Sequence, residues 1–118
     1  MRDDKENIIV ELTFKFSLHI IQYCEQLEEK RKYVISKQLL KSGTSIGANS
    51  REAQNAESKA DFIHKFKVAA KEADETQYWL LLCKGSMNYP LPDSLIEELS
   101  LFVLYPRSYR PLRIKFSN

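Results

Sequence analysis

The stretch KSGTSIGANSREA, residues 41–53, decides how this chain is read, because two glycines, three serines, a threonine and two alanines crowd together just ahead of a strongly patterned segment. A phosphate-cradling loop needs G-x-x-x-x-G-K-[ST] between a strand and a helix. Here Gly43 and Gly47 are separated by three residues, with no lysine at the required place and no strand before them. Read as helix, Gly43, Gly47 and Ala48 make a groove that another backbone can approach, while Ser42, Ser45 and Ser50 add little volume. Each glycine gives up about 1 kcal/mol of helix propensity relative to alanine, so close packing has to offset the loss.

Periodicity carries the helical reading outward in both directions. Ile9, Leu12, Phe16, Ile20, Tyr23 and Leu27 recur at steps of three and four, one face of a first helix over about residues 7–29. Phe14, Leu18, Ile21 and Cys24 widen that stripe beyond a two-stranded seam, so this helix is expected to touch more than one neighbour, in a bundle or an oligomer. Glu28 to Lys32 is a charged junction without glycine or proline, which predicts a short turn. Tyr33, Leu39, Leu40, Ile46, Ala53 and Ala56 mark a second helix that contains the opening stretch.

At Ser58 the sequence SKAD offers a capping box, with the serine oxygen accepting from the Asp61 amide and the acid reaching back. The third helix starts there with the clearest seam in the chain: Phe62, Phe66, Ala69, Ala73, Thr76, Leu80 and Cys83 alternate steps of four and three up to Gly85, a natural C-terminal stop. Lys65, Lys67, Lys71, Glu72, Asp74 and Glu75 occupy its other face, read as solvated with mild support from the Lys71–Glu75 spacing. NYPLPD, residues 88–93, is a proline-punctuated connection to a short fourth helix carrying Leu95, Ile96, Leu99, Phe102 and Val103. That helix is expected to stop near Leu104, with Pro106 as its end. The remainder, YRPLRIKFSN, alternates apolar Leu112, Ile114 and Phe116 with Arg113 and Lys115 and reads as an extended tail.

The expected organisation is therefore an all-α four-helix domain over residues 1–105 with a basic tail over 106–118. At 118 residues a second domain does not fit. The start, MRDDKENIIV, lacks a secretory pattern, and the longest apolar run, YWLLLC at 78–83, is far too short to span a bilayer, so a cytoplasmic protein without membrane association is expected. Residues 1–105 hold fourteen Lys and Arg against all sixteen Asp and Glu, net −2, whereas Arg107, Arg110, Arg113 and Lys115 give the tail +4.

Candidate chemistry is sparse. Cys24 and Cys83 lie inside apolar periodic segments as small hydrophobes, with no CxxC pattern. His64, three residues after Asp61, lacks the repeated Glu-x-x-His of a bundle metal site, and His19 has no evident partner. Ser45, Asn49 and Glu52, with Arg51 and Gln54 nearby, line one side of the second helix as a polar stripe. The stripe has no histidine, cysteine or second carboxylate for acid–base work, so inward hydrogen bonding that fixes register between helices or subunits is the expectation. No metal, cofactor, small-molecule substrate or enzymatic activity is expected.

Residues 42–82, SGTSIGANSREAQNAESKADFIHKFKVAAKEADETQYWLLL, resemble the signature of the four-helix bundle proteins encoded by intervening sequences within bacterial 23S ribosomal RNA genes, also labelled ribosomal-protein-like. The likeness extends back through ELTFKFSLHIIQYCEQL and covers about residues 8–87, with SIGANSREA followed by SKADFI as its specific part. The resemblance implies an antiparallel up-down-up-down bundle that assembles as a ring-like homopentamer. It further implies kinship with the accessory variability proteins of diversity-generating retroelements, basic barrels associated with nucleic acid and a reverse transcriptase, and it implies no enzymatic activity. Carried over by position, it makes Ser45, Ile46, Asn49, Arg51 and Glu52 on the second helix and Phe62, Lys65, Glu72, Glu75 and Trp79 on the third conspicuous. Gly43, Ser45, Gly47, Asn49, Glu52 and Trp79 are expected to build helix or subunit contacts.

The resemblance implies a long fourth helix, from which this sequence is expected to depart after Leu104. The functional expectation is a homo-oligomeric nucleic-acid-associated protein. Arg107, Arg110, Arg113 and Lys115 would neutralise phosphate while Tyr109 and Phe116 stack on bases, and Lys65, Lys67 and Lys71 would be gathered on one surface. The competing expectation is a scaffold or protein-interaction module whose excess apolar surface is buried between subunits.

Overall fold

Ser58 shows how local sequence starts a helix here. Its backbone is extended, at φ −151° and ψ 164°, and its side chain accepts the Asp61 amide at 3.1 Å. Only the serine half of the capping box is made, without a return bond from the Asp61 carboxylate among the described residues. The computed structural model describes the backbone of residues 4–109 and the side chains of residues 8–102. Four helices result, α1 Asp4–Glu29, α2 Tyr33–Ala53, α3 Lys59–Gly85 and α4 Asp93–Tyr109, with no strand among the described residues.

The turn from α1 to α2 is closed by a residue that sequence reasoning passes over. Lys32 N–H donates to Leu27 O at 2.8 Å and Arg31 N–H to Glu28 O at 2.9 Å, the paired bonds of a Schellman ending. Arg31 stands at the left-handed position, φ 62°, where glycine is the usual occupant. Helix α3 ends at Gly85 as expected, but without the positive φ of a glycine cap, and the exit is made by Ser86 in an extended conformation. Asn88, at φ 67°, turns the connection to α4.

Two boundaries differ from expectation. Helix α2 stops at Ala53 rather than reaching Ala56, because Ala56 N–H turns back to Ala53 O and leaves room for the Ser58 cap. Helix α4 does not end at Pro106. It continues to Tyr109, since a proline removes one backbone donor but still holds a helical φ, and only the last turn follows it. At 17 residues α4 remains the shortest of the four helices. The expected extended tail beyond it lies outside the described residues.

Paired residues give the topology. Gly47 lies against Thr13 and Gly43 against Ile20, Thr76 meets Ser42, Lys84 meets Asp93, and Phe16 meets Phe102 edge-on at 5.1 Å. Numbers rise on one helix as they fall on its neighbour, from Thr13–Gly47 to Ile20–Gly43, from Ser42–Thr76 to Glu52–Lys65 and from Phe16–Phe102 to His19–Glu98, while Lys84–Asp93 joins the end of α3 to the start of α4, so the bundle is antiparallel and up-down-up-down. Each helix packs against its two sequential or closing neighbours, and no backbone contact crosses the diagonals among the described residues.

Phe16, Ile20, Leu27, Leu39 and Leu80 are completely enclosed, joined by Leu95, Leu99 and Phe102 from α4. Burial of this set supplies the main stabilisation, at roughly 1.5–3 kcal/mol for each large side chain. The α1 stripe is shifted from its expected position: Leu12 is partly exposed, and Thr13 takes the inward place by returning its hydroxyl to Ile9 O at 2.8 Å. On α3 the seam positions Ala69, Ala73, Thr76, Leu80 and Cys83 are buried, while Phe62 and Phe66 are half-buried against each other. Lys84 pairs with Asp93 at the start of α4, so a helix of this length runs out before it reaches the level of Phe62.

The opening stretch is explained by α1. A Cβ on Gly43 would stand 2.9 Å from Ile20 Cγ1, and one on Gly47 would stand 3.1 Å from the Thr13 carbonyl oxygen. Both glycines therefore permit the close approach of α1 and α2. Register is fixed beside them by buried hydroxyls, with Ser36 Oγ donating to Cys24 O at 3.2 Å and Thr76 Oγ1 lying 2.9 Å from Ser42 Oγ.

Candidate functional site

The residues singled out by motif are spread along α2 and α3. Glu52 on α2 receives Lys65 Nζ from α3 at 3.0 Å, the one ion pair between these two helices among the described residues. The Glu52 carboxylate is the main cause that holds the Lys65 ammonium above its ordinary pKa. One and two turns back along α2, half-buried Asn49 and Ser45 bond within their own helix, Asn49 Nδ2 to Ser45 O at 2.8 Å and Ser45 Oγ to Lys41 O at 2.7 Å. Within α3, Trp79 Nε1 donates to Glu75 Oε2 at 3.0 Å.

This stripe thus differs from the inward network expected of it. Ser45 and Asn49 satisfy themselves locally, Glu52 is exposed, and the buried cross-helix bonds belong to Ser36, Ser42 and Thr76 instead. The physical reason is rotation: on a helix of 3.6 residues per turn, Ser42 and Ile46 take the inward direction, and Ser45, Asn49 and Glu52 follow on the flank. Glu75 holds the Trp79 indole rather than forming an ion pair with Lys71, whose spacing had suggested one.

The basic residues are dispersed. Lys67 and Lys71 are exposed one turn apart on the outer face of α3, whereas Lys65 turns toward α2 and is engaged by Glu52. Arg107 falls in the last turn of α4 with its side chain outside the described residues, and Arg110, Arg113 and Lys115 lie outside them altogether. No group of three His, Cys, Asp or Glu able to hold a metal occurs among the described residues.

The model of the 23S rRNA-intervening sequence protein family matches residues 5–95. The chain belongs to that family. It is similar to a solved structure of a protein with unknown function from the S23 ribosomal protein family of Bacteroides thetaiotaomicron VPI-5482. The two share 39% identity over 84% of this chain and 91% of the other, with a TM-score of 0.78. No curated protein matches. The family match ends within the first turn of α4, so the second half of α4 and the basic segment lie beyond it.

Two features of this family member were not legible from sequence. His19 on α1 pairs with Glu98 on α4, Nδ1 to Oε1 at 2.8 Å, beside a shallow groove edged by Gln22, Gln26 and Ser94. The partners are 79 residues apart, so no local spacing announces them. Tyr23 sends its hydroxyl to Pro90 O at 2.6 Å and ties α1 to the α3–α4 connection. Burial, aided by the Cys83 thiol, pushes the Tyr23 phenol far above its usual range. Burial likewise pushes Cys24 up to about 11 and raises Cys83, so both thiols are protonated and unreactive at neutral pH, as their apolar setting suggested. No described helix is long and apolar enough to cross a membrane.

Proposed function

We propose that this family member is a cytoplasmic, non-enzymatic, homo-oligomeric helical protein that associates with RNA through its basic C-terminal segment. The observation that carries the reading is the charge distribution: after Glu98 the sequence contains no acid and four cations, Arg107, Arg110, Arg113 and Lys115, interleaved with Tyr109 and Phe116. Cations that neutralise phosphate and rings that stack on unpaired bases are the combination used for single strands. Lys67 and Lys71, exposed on α3, add a second positive site. The family's link by name to the 23S rRNA is consistent with an RNA partner.

The test is electrophoretic mobility of single-stranded RNA across a salt series. Four phosphate contacts give a slope of log K against log salt of about −2.8. Ending the chain at Tyr109 removes Arg110, Arg113 and Lys115 and lowers the slope by about 2. An unchanged slope, or no shift at low salt, overturns the reading.

A scaffold without nucleic acid is the second reading. It is favoured by a different observation, the exposure of Phe14, Leu18 and Ile21 on α1, a contiguous apolar strip that the bundle leaves uncovered.

A further inference from the structure

The turn between α1 and α2 keeps cations where local stability would place other residues. Lys30, Arg31 and Lys32 follow one another in KRKY, residues 30–33, and Tyr33 is the first residue of α2. Arg31 occupies the left-handed position, φ 62°, that glycine takes without strain. Lys32 stands at the N-cap of α2, where serine, threonine, aspartate or asparagine would hold a free N–H, and it makes no side-chain cap. The first turn of α2 has no acid, although the helix dipole favours acids there and disfavours cations. Only Lys30, just past the end of α1, stands where the dipole favours a positive charge.

These cations project from a fixed backbone. Lys30 N–H donates to Leu27 O at 3.1 Å, Arg31 N–H to Glu28 O at 2.9 Å and Lys32 N–H to Leu27 O at 2.8 Å. Lys32 Nζ lies 4.9 Å from the centre of the Tyr89 ring, and the Tyr23 bond to Pro90 anchors that connection, so the two loops form one surface. No acid pairs with any of the three cations among the described residues. Glu28 accepts the Ser36 hydroxyl at 3.4 Å, Asp93 is taken by Lys84, and Glu29 is exposed. Lys30 and Arg31 are exposed, with Tyr33 58% exposed beside them. Val34, Met87 and Leu91, the three most exposed large apolar side chains among the described residues at 81–84%, stand at this same end.

We propose that this end of the bundle is a second binding site for single-stranded RNA, in which Lys30, Arg31 and Lys32 neutralise successive phosphates and Tyr33 stacks on an unpaired base. Val34, Met87 and Leu91 then lie against the faces of neighbouring bases and leave water. Contact with a ligand accounts for a strained arginine and an uncapped lysine, because glycine at 31 and serine at 32 would serve the turn alone better. The inference rests on the RNA reading proposed above and adds a site to it. The two sites are well apart: α4 starts at this end, beside Lys84, and its 17 residues carry the chain about 25 Å away before Arg110, Arg113 and Lys115. At about 3.4 Å per stacked nucleotide, a strand that touches both needs roughly 8 nucleotides.

The experiment is electrophoretic mobility of unstructured oligouridine, roughly 12 nucleotides long so that it spans both sites, with the full chain and its variants across a salt series. Three added contacts take the slope of log K against log salt from about −2.8 for the tail alone to about −4.9. Lys30→Ala with Lys32→Ala should make the slope shallower by about 1.4, and Arg31→Gly by about 0.7. The urea midpoint of Arg31→Gly should rise while its RNA binding falls, whereas a purely structural arginine would change stability and leave binding alone. Tyr33→Ala should weaken binding about tenfold at every salt concentration without changing the slope. Circular dichroism of each variant should remain that of the folded bundle. Wild-type RNA binding that all these variants retain unchanged overturns this site and leaves the tail reading standing. No binding by the wild type overturns both. Retention of the wild type on phosphatidylserine vesicles, lost in the variants while RNA binding is unchanged, assigns this end to a lipid surface and overturns the proposal.

Discussion

Gly43→Ala tests whether the approach of α1 and α2 is what the small-residue stretch is for. In an exposed helix the change would stabilise by about 1 kcal/mol through propensity. Here the new methyl would meet Ile20 Cγ1 at 2.9 Å and its Cδ1 and Cγ2 at 3.0 Å, closer than real Cβ contacts. Ile20 is fully enclosed and β-branched, so it has no free rotamer to adopt and the helices must part. Overpacking of this kind costs about 1–3 kcal/mol, which leaves a net destabilisation of up to about 2 kcal/mol once propensity is subtracted. Urea unfolding reads the difference directly, and the melting temperature should fall by roughly 5 °C for each kcal/mol. A double-mutant cycle sharpens the test. With Ile20→Ala already in place the three obstructing carbons are gone, and Gly43→Ala should change sign and stabilise by about 1 kcal/mol. Gly85→Ala is the control, since nothing lies within 4 Å of a Cβ there and the change should be neutral or mildly stabilising. A stabilising Gly43→Ala in the wild-type background, or the same sign in both backgrounds, refutes the packing argument.

Other perturbations probe separate parts of the bundle. Arg31→Gly should stabilise by about 1 kcal/mol in urea titrations, because glycine enters the left-handed region without the Cβ penalty that Arg31 carries at φ 62°. Destabilisation would mean that the arginine side chain makes a contact worth more than that strain. Thr76→Val strands the buried Ser42 hydroxyl, whose remaining acceptor, Leu39 O, is 3.5 Å away, and should cost about 1–3 kcal/mol. Adding Ser42→Ala removes the stranded group, so a double variant no better than the single one counts against this account. Alkaline unfolding follows from the acids whose neutral forms the fold favours. Cys24, ordinarily at 9.0, is held near about 11, and Tyr23 and Cys83 are raised in the same direction. Because the folded values lie above the unfolded ones, their contribution is fully present below about pH 9 and is lost as pH climbs through the folded values, by up to about 1.4 kcal/mol per pH unit for each group. A urea midpoint that stays flat above pH 9 contradicts it.

Much of the fold follows from sequence alone, for local reasons. Apolar spacing at three and four residues places all four helices, Ser58 starts α3 through its own side chain, and the absence of slack between Glu28 and Tyr33 predicts the tight first turn. The glycines at 43 and 47 announce a close neighbour, though not which atoms it presents. Family membership likewise rests on residues that can be read in order, SIGANSREA and SKADFI among them.

Tertiary structure decided the rest, because those outcomes depend on rotation and on partners distant in the chain. Periodicity shows how wide the apolar stripe of α1 is but not which part of it turns inward. Only the bundle shows that Thr13 is enclosed while Phe14, Leu18 and Ile21 remain outside. The same rotation moved Ser45 and Asn49 from the expected interior to the flank and gave register to Ser36, Ser42 and Thr76. His19 acquired Glu98 across 79 residues, and Arg31 took a left-handed turn because the levels of two helices had to meet. A helix can be read one residue at a time, but the direction each side chain faces is set by what the neighbouring helices leave open.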